Sequence, residues 1–524
     1  MLDNNRLSVA RPLIPQKLPS GGKSVTPLAL LVGVTCAVLL SPAPCVRLFQ
    51  WRHQGFQEPT INMPTLVLPK MHLVMANRFR HCARPWLSPH LSRTFKRVSG
   101  AEVKSSSSSK RAKPQNLEKD LSEPNSFGPN IRCRPIDYEA ELSEKVAHVR
   151  SLFDDCQIPN ETHVVRSART RFRMRAKFAM WKIKDFDVAV GEGPLNFAMF
   201  NPRTKKPVFL NGTEDDPALY PMGSERLNAL MVSLRKECSS SEVLMNKLFE
   251  TDFYTTLSGE ALVSLQYHKK LGDNKEWRAA AEALRAKLGC EVMARSRKEK
   301  VLLGSESITE SMEVDGAVLR LKQVQGAFAQ PNTGVARGMV SWARAAAVEG
   351  ELGVANPPAR DDDLVEMYAG AGMFSIALSP LFRNVLATEI SKSMTATAIE
   401  NAIANNVTNL QFARVSAEEL SEALSGSRDL KRLKEMSPGL KQMNLRTVLV
   451  DPPRAGMGDQ VSEIVSQFDR IIYISCNPTT CRRDYNILRK THRIARFAVF
   501  DQFPYTEHVE MGMLLKRREG RVHP

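Results

Sequence analysis

The chain predicts an α/β fold: a layered domain with a mostly parallel sheet, preceded by an α+β domain and by an extension without globular character. Three observations carry that reading. Beyond Asn332, short apolar runs alternate with segments of helical periodicity, the pattern of strand–helix–strand units. Between about residues 131 and 325 a period-two strand, a hairpin and helices follow one another in mixed order. Before residue 118 the chain is basic and nearly free of acids.

The 524 residues hold 73 Lys and Arg against 56 Asp and Glu, a formal charge of +17. Hydrophobic residues make up 43% and charged residues 25%, which excludes a chain disordered throughout, a collagen-like protein and a polytopic membrane protein. Such a charge points to nucleic acid or an anionic surface, but a total does not locate it. Residues 1–117 hold 17 basic residues and three acids (Asp3, Glu58 and Glu102), a net of +14. The remaining residues hold 56 basic and 53 acidic residues, a net of +3.

The extension, taken as residues 1–130, reads as a disordered targeting leader. Residues 28–40 form an apolar run behind Arg11, Lys17 and Lys23 and before Ser41, Pro42, Ala43 and Pro44, the layout of a signal-peptide core. It is too short for a comfortable membrane span, so no stable membrane association of the mature protein is expected. The stretch through Lys113 is rich in Arg, Ser and Pro, the composition of an organelle transit peptide. Import into a plastid or a mitochondrion is the expectation, with the plastid slightly ahead; the cytoplasm follows if the leader does not function. Nine cysteines occur without a CxxC or a Cys/His cluster. No metal site and no disulfide framework are expected, and the folded part belongs in a reducing compartment.

Within the α+β domain (131–325), Tyr138–Phe153 reads as a helix through Leu142, Val146, Val149 and Phe153. Over 171–180, Arg171, Arg173, Arg175 and Lys177 alternate with Phe172, Met174, Ala176 and Phe178, so a strand places four cations on one face. That face suits a phosphate backbone; the bland alternative is a solvated face balanced by nearby acids. Residues 253–257 and 261–267 read as a hairpin turning at Ser258-Gly259-Glu260, and 277–288 as a helix. In the last domain (326–520), a helix at Val335–Ala347 leads into strands at Leu364–Tyr368, Val385–Glu389, Leu410–Val415, Thr447–Asp451, Ile471–Ser475, Phe497–Phe500 and Val509–Leu515.

The ends of these strands carry the chemistry. Gly370 and Gly372 follow the first strand and let a ligand approach the backbone at a helix start. Glu389 ends the second, 19 residues after Gly370, where an acid accepts both ribose hydroxyls of a nucleoside cofactor. That spacing leaves a dinucleotide and S-adenosylmethionine both open, beside an ordinary tight turn. Asp451-Pro452-Pro453-Arg454 ends the fourth strand; its two prolines make a rigid loop that presents a carboxylate. Cys476 follows the fifth, in Ser475-Cys476-Asn477-Pro478. It stands in a polar turn, where a nucleophile fits better than a core cysteine. Glu510 lies in a strand otherwise made of Val509, Met511, Met513, Leu514 and Leu515. A carboxylate there is costly, and a general base is one reason for it.

In that order, Phe328-x-Gln330-Pro331-Asn332, Asp451-Pro-Pro-Arg454-x-Gly456, Ser475-Cys476-Asn477-Pro478 and His508-Val-Glu510 resemble the RNA uracil-5-methyltransferases. Asp501–Tyr505, Phe172–Phe178 and Leu262–Lys270 are similar to the bacterial-type tRNA branch. The resemblance covers about residues 136–516. It implies a Rossmann-like class I methyltransferase domain using S-adenosylmethionine, an N-terminal RNA-binding domain, and the T-loop uridine of tRNA (position 54) as target. It implies Cys476 as nucleophile, through a covalent adduct at uracil C6, and Glu510 as proton acceptor. It further implies Gln330, Tyr368, Gly370, Gly372, Met373, Glu389 and Asp451 at the cofactor, and Arg173, Arg175 and Phe249 at the RNA. Met373 stands where the family has an asparagine, and Ala369 and Ala371 replace polar or thiol residues, so weaker cofactor affinity is expected. The alternatives are an rRNA uracil-5-methyltransferase and an RNA-binding or RNA-folding module that has lost turnover. A monomer is expected.

Overall fold

The computed structural model describes residues 133–183, 194–201, 204–212, 216–348 and 361–518. The expectations for the leader, including the apolar run at 28–40, lie outside these residues.

The described chain opens with the helix Tyr138–Ser151 and a short strand, β1 (His163–Val165). A seven-stranded sheet follows: β2 (Arg175–Lys182), β3 (Leu195–Phe200), β4 (Pro207–Phe209), β5 (Leu248–Thr255), β6 (Ala261–Tyr267), β7 (Glu291–Ser296) and β8 (Glu299–Leu302). Its order is β4-β3-β2-β5-β6-β7-β8. Helices Glu225–Ser239 and Lys275–Leu288 share its core through Leu227, Leu234, Trp277 and Leu284, packed with Phe178, Phe197 and Phe253. The hairpin β5–β6 turns at the expected place and is longer than read from sequence.

The strand expected over 171–180 begins later, at Arg175. Arg171 has a left-handed backbone, φ +59°, so the alternation fails there. Its guanidinium turns back to Asp216 at 2.5 Å, and Arg173 pairs with the turn at Met222 and Gly223.

Next comes a hairpin that hydrophobic patterning did not single out, β9 (Ser307–Val314) with β10 (Ala317–Val324). Met312, Val314, Leu319 and Leu321 pack with the helix Thr333–Val348, while Ile308 joins Tyr254, Leu262 and Met293 of the first sheet. The hairpin therefore bridges the two sheets.

The second sheet contains β11 (Asp363–Met367), β12 (Val385–Thr388), β13 (Leu410–Ala413), β14 (Leu445–Val450), β15 (Arg470–Ser475), β16 (His492–Phe500) and β17 (Glu510–Arg517). With β1 its order is β1-β16-β17-β15-β14-β11-β12-β13. Neighbours from β13 to β15 are parallel, whereas β17 runs antiparallel between β15 and β16. Side chains alternate between two cores: Val365, Met367, Val448, Val450, Ile471 and Tyr473 on one face, Leu364, Leu449, Ile472 and Ile474 on the other. A sheet covered on both faces needs apolar residues at consecutive positions, which is why these strands read as unbroken apolar runs. The helix Tyr138–Ser151 is shared: Tyr138 and Leu142 enter the first sheet's core, and Val149 the second's.

Candidate active site

The order of the second sheet reverses at β11. The chain moves outward to β12 and β13, then returns to β14 on the other side. Ligands in open α/β sheets bind beyond the carboxyl ends of the strands at such a point. A cavity of about 620 Å³ lies there. Its wall includes Gln330, Tyr368, Gly370, Met373, Glu389, Asp451, Cys476 and Glu510, so residues spread over 180 positions of sequence meet in one space.

The turn after β11 is built from left-handed residues: Tyr368 at φ +64°, Gly370 at +56° and Gly372 at +81°. A non-glycine residue in that region is strained, and such strain gathers at functional sites. Gly372 is not in the cavity wall; it sets the turn. A Cβ there would stand 3.0 Å from the Phe412 ring. The Gly370 N–H donates to one Glu389 oxygen at 3.0 Å and the Ser391 N–H to the other at 2.7 Å. These bonds hold the carboxylate at the end of β12, beside the glycine turn.

Because β17 is antiparallel to β15, Ser475 faces Met511 across the ladder. The start of β17 therefore meets the end of β15, and Glu510 and Cys476 come to one edge. Glu510 is buried, and that burial, followed by the nearby Asp451 carboxylate, pushes its pKa up to about 8. Burial alone pushes Asp451 up to about 7. The Cys476 thiol is also pushed up, first by burial, then by Glu510 and Asp451; the Arg454 guanidinium opposes this. Burial thus disfavours negative charge at this edge.

The loop after β14 is tied to the helix Pro478–Leu488. Asn477 Nδ2 and Thr480 Oγ1 donate to the Arg454 carbonyl at 3.0 and 3.2 Å, and Arg483 donates to the Ala455 carbonyl at 2.8 Å. Asn477 also caps that helix by accepting the Thr479 N–H. Asn477 and Pro478 therefore fix the relation between the Cys476 turn and the Asp-Pro-Pro-Arg loop.

Met373, Ala369 and Ala371 line the cavity, so the three departures from the family pattern make the wall more apolar. Sequence reasoning missed Glu366 and Glu310 in the same wall. Glu366 accepts from the Ser375 hydroxyl, and burial pushes it up to about 8. The signal was available: a carboxylate among Leu364, Val365 and Met367 is the same anomaly that marked Glu510. Glu310 accepts from the Leu257 N–H at 3.0 Å and the Thr333 hydroxyl at 3.1 Å. It joins the first sheet's hairpin turn to the helix behind Gln330, a contact between distant segments that no local pattern encodes.

The expected RNA residues lie outside the cavity. Arg173, Arg175 and Lys177 line a second pocket of about 510 Å³ with Glu250, Asp252, Tyr254 and Arg295. Arg175 stacks over Tyr254 at 4.5 Å, and Lys177 pairs with Glu250 at 3.0 Å. The cationic face and its balancing acids are therefore both present. The Met174 N–H donates to the Pro331 carbonyl at 2.8 Å, which connects this strand to the Gln330 segment. Phe249 lies flat on His268, ring centres 3.8 Å apart and 7° from parallel, in a third pocket with Lys269, Lys270, Arg295, Arg297 and Lys298. Among the described residues no group of three or more His, Cys, Asp or Glu is placed to hold a metal ion.

The family model described as tRNA (uracil-5-)-methyltransferase matches residues 137–518. The chain belongs to this family. Similar relatives named tRNA/tmRNA (uracil-C(5))-methyltransferase include that of Azoarcus sp. (strain BH72), 41% identical over 74% of this chain and 98% of the relative. That of Dechloromonas aromatica (strain RCB) is 43% identical over 73% and 98%. Among solved structures, the Pyrococcus abyssi tRNA (uracil-54, C5)-methyltransferase in complex with S-adenosyl-L-homocysteine covers 72% of this chain and 83% of its own. Its TM-score is 0.51 at 21% identity, a likeness of fold.

Proposed function

We propose that this chain methylates C5 of a uridine in tRNA, the T-loop uridine, with S-adenosylmethionine as methyl donor and Cys476 as covalent nucleophile. The observation that carries the reading is the meeting of Cys476 and Glu510 at one edge of the cavity that Gln330, Tyr368, Gly370 and Glu389 also line.

The residues present fit the methyl donor. Gln330 Oε1 is buried without a hydrogen-bond partner, so it calls for a donor group, and an ammonium supplies one. Glu389 is held beside the glycine turn, where ribose hydroxyls are accepted. Tyr368, Met373, Phe374 and Met394 form apolar surface for a base and a thioether chain. When bound, the donor supplies an electrophilic methyl group.

Uracil C5 is too weak a nucleophile to take a methyl directly. The Cys476 thiolate adds to C6, and the electron pair moves to make C5 enolate-like. After C5 gains the methyl, Glu510 removes the C5 proton, and elimination breaks the Cys476–C6 bond. The covalent step divides one hard displacement into easier ones. Glu510 must be ionised to accept the proton; a raised pKa makes it a stronger base near neutrality. The uridine leaves its stack to reach the thiolate, and the exposed side of the Phe249–His268 pair offers a stacking surface for the opened loop.

Unmodified tRNA incubated with the protein and labelled donor, then digested to nucleosides, yields 5-methyluridine on this reading. Absence of 5-methyluridine from every tRNA offered overturns it. The apolar substitutions Met373, Ala369 and Ala371 favour the second reading, an RNA-binding module without turnover. That reading requires RNA binding with no methyl transfer by wild type or Cys476→Ala. An rRNA transcript methylated in place of tRNA establishes the third. We also propose that the basic extension directs import into an organelle; a fluorescent fusion of residues 1–130 that stays in the cytosol refutes this.

A further inference from the structure

The helix Pro478–Leu488 begins just after Cys476 and carries a carboxylate, Asp484, that is only 1% exposed. A buried carboxylate is costly unless its oxygens are satisfied. Asp484 lies outside the cavity wall, so it does not meet a ligand there. Its oxygens are taken up by three separate elements. One accepts the Met457 N–H at 2.7 Å and the Tyr473 hydroxyl at 2.8 Å. The other accepts Arg483 Nε at 3.0 Å and Nη2 at 2.7 Å, a two-pronged, charge-assisted contact. Met457 closes the loop after β14, and Tyr473 lies in β15, three residues before Cys476.

The loop has no slack at this contact. The Gly456 N–H donates to the Pro453 carbonyl at 2.8 Å, so Arg454 and Ala455 are the central residues of a tight turn. Gly456 has φ +77°. A Cβ there would stand 2.6 Å from both Arg483 Nη2 and the Asp484 oxygen that holds Met457. Arg483 also donates to the Ala455 carbonyl at 2.8 Å. Asp484 fixes one end of the turn directly and, through Arg483, its middle. Arg454 has only the place that these bonds leave it.

That place matters to the thiol. Three charged groups act on Cys476: Asp451 from the end of β14, Glu510 from the start of β17, and Arg454 from the turn. The two carboxylates disfavour a thiolate, and the Arg454 guanidinium favours it. The guanidinium also meets His508 Nδ1 at 3.4 Å.

We propose that Asp484 is a positioning residue for the nucleophile: by gripping the Met457 N–H, the Tyr473 hydroxyl and Arg483 together, it holds Arg454 against the Cys476 turn, where the guanidinium stabilises the thiolate. The proposal rests on the reading of Cys476 as nucleophile given above and adds how the thiolate is sustained between two buried acids. It makes a prediction of opposite sign to simple electrostatics. By its field alone, loss of the Asp484 charge would ease formation of a nearby thiolate. Loss of its grip on the turn makes the thiolate harder to form.

The test reads the thiol in the intact protein, without RNA or methyl donor. Wild type, Asp484→Asn, Arg483→Met, Arg454→Ala and the double variant Asp484→Asn/Arg454→Ala are alkylated with iodoacetamide from about pH 6 to about pH 10, a range that brackets an ordinary thiol. Modification is followed by mass spectrometry of the peptide that contains Cys476. Asp451 and Glu510 are the same in all five proteins, so their own titration largely cancels in the comparison. Arg454→Ala is expected to slow alkylation roughly tenfold near neutral pH, the effect of losing one nearby opposite charge. Asp484→Asn moves the profile to higher pH and slows alkylation about threefold to tenfold on the same scale, with an unchanged plateau at high pH. The double variant is no slower than Arg454→Ala, because two residues that act through one group do not add. Arg483→Met, at a half-exposed side chain, moves the profile the same way by less; it decides alone if Asp484→Asn does not fold. An unchanged profile, or one shifted to lower pH, overturns the proposal. So does a full further loss in the double variant, or a lowered plateau without a shift, which would leave Asp484 a merely structural residue. Formation of 5-methyluridine is scored separately, so failure of the methyltransferase reading is distinguishable from failure of this one.

Discussion

Replacing Glu510 with glutamine removes a charge that the fold resists. The carboxyl is raised from the ordinary 4.5 to about 8, burial first and the Asp451 carboxylate second. At about 1.4 kcal/mol per tenfold, ionising it in the folded state costs up to about 5 kcal/mol. The sign follows from linkage. Between pH 4.5 and 8 the folded state holds a proton that the unfolded state has released, so stability falls as pH rises through that window. Glu510→Gln is neutral throughout and escapes the loss. Asp451 is present in both proteins, so its own titration largely cancels in the difference. Denaturant unfolding at pH 4, below the window, should give the two proteins similar stability. At pH 8.5 the glutamine variant should be more stable by about 2–5 kcal/mol, the lower figure allowing for relaxation around the ionised group. A gap that is the same at both pH values would refute the burial argument and, with it, the idea that the fold stores a general base there.

Met373→Asn restores a polar group to the cavity wall and should tighten binding of S-adenosylhomocysteine by about fivefold, the worth of one hydrogen bond of about 1 kcal/mol; calorimetry that shows equal or weaker binding speaks against it. Gly372→Ala places a Cβ at φ +81° and 3.0 Å from the Phe412 ring, so it should cost about 1–3 kcal/mol in denaturant unfolding and weaken cofactor binding. A stability within 0.5 kcal/mol of wild type, to take roughly the spread of surface substitutions, would mean the turn relaxes freely. Asn477→Ala removes both a helix cap and the tether to the Arg454 carbonyl; a loss of about 1 kcal/mol together with slower adduct formation is expected, and loss of stability alone would confine the residue to capping.

Much of the second sheet was legible because its strands are buried on both faces and its ligands stand at strand ends. Apolar runs marked β12, β14 and β15, and β11 with Glu366 as its interruption, and the residue after each run was polar where the chemistry lies. Glu510 was legible for the opposite reason, as a charge inside an apolar strand. The hairpin β9–β10 was not legible, because its alternating Ile308, Glu310, Met312 and Val314 includes a buried acid whose partners, Leu257 and Thr333, are set only by tertiary contact. Arg171 misled for a local reason: alternation of residue types cannot report a left-handed backbone. The chain's net charge of +17 was also a poor guide, since most of it precedes residue 118. The cationic groups that face outward on the first sheet are local, and Lys177 among them is balanced by Glu250 and Asp252, while Arg171, outside the sheet, is balanced by Asp216.

The central claim is that Cys476 and Glu510 act in succession on the same uracil. In Glu510→Gln the Cys476 thiol should add to C6 and uracil C5 should take the methyl, and the adduct should then stall before the C5 proton leaves. Mass spectrometry of the complex formed by this variant with tRNA and S-adenosylmethionine tests it most directly. The predicted result is a peptide containing Cys476 joined to a uridine nucleotide that has already gained a methyl group. A cross-link through any other residue, or wild-type release of 5-methyluridine by Glu510→Gln with no trapped species, would contradict it.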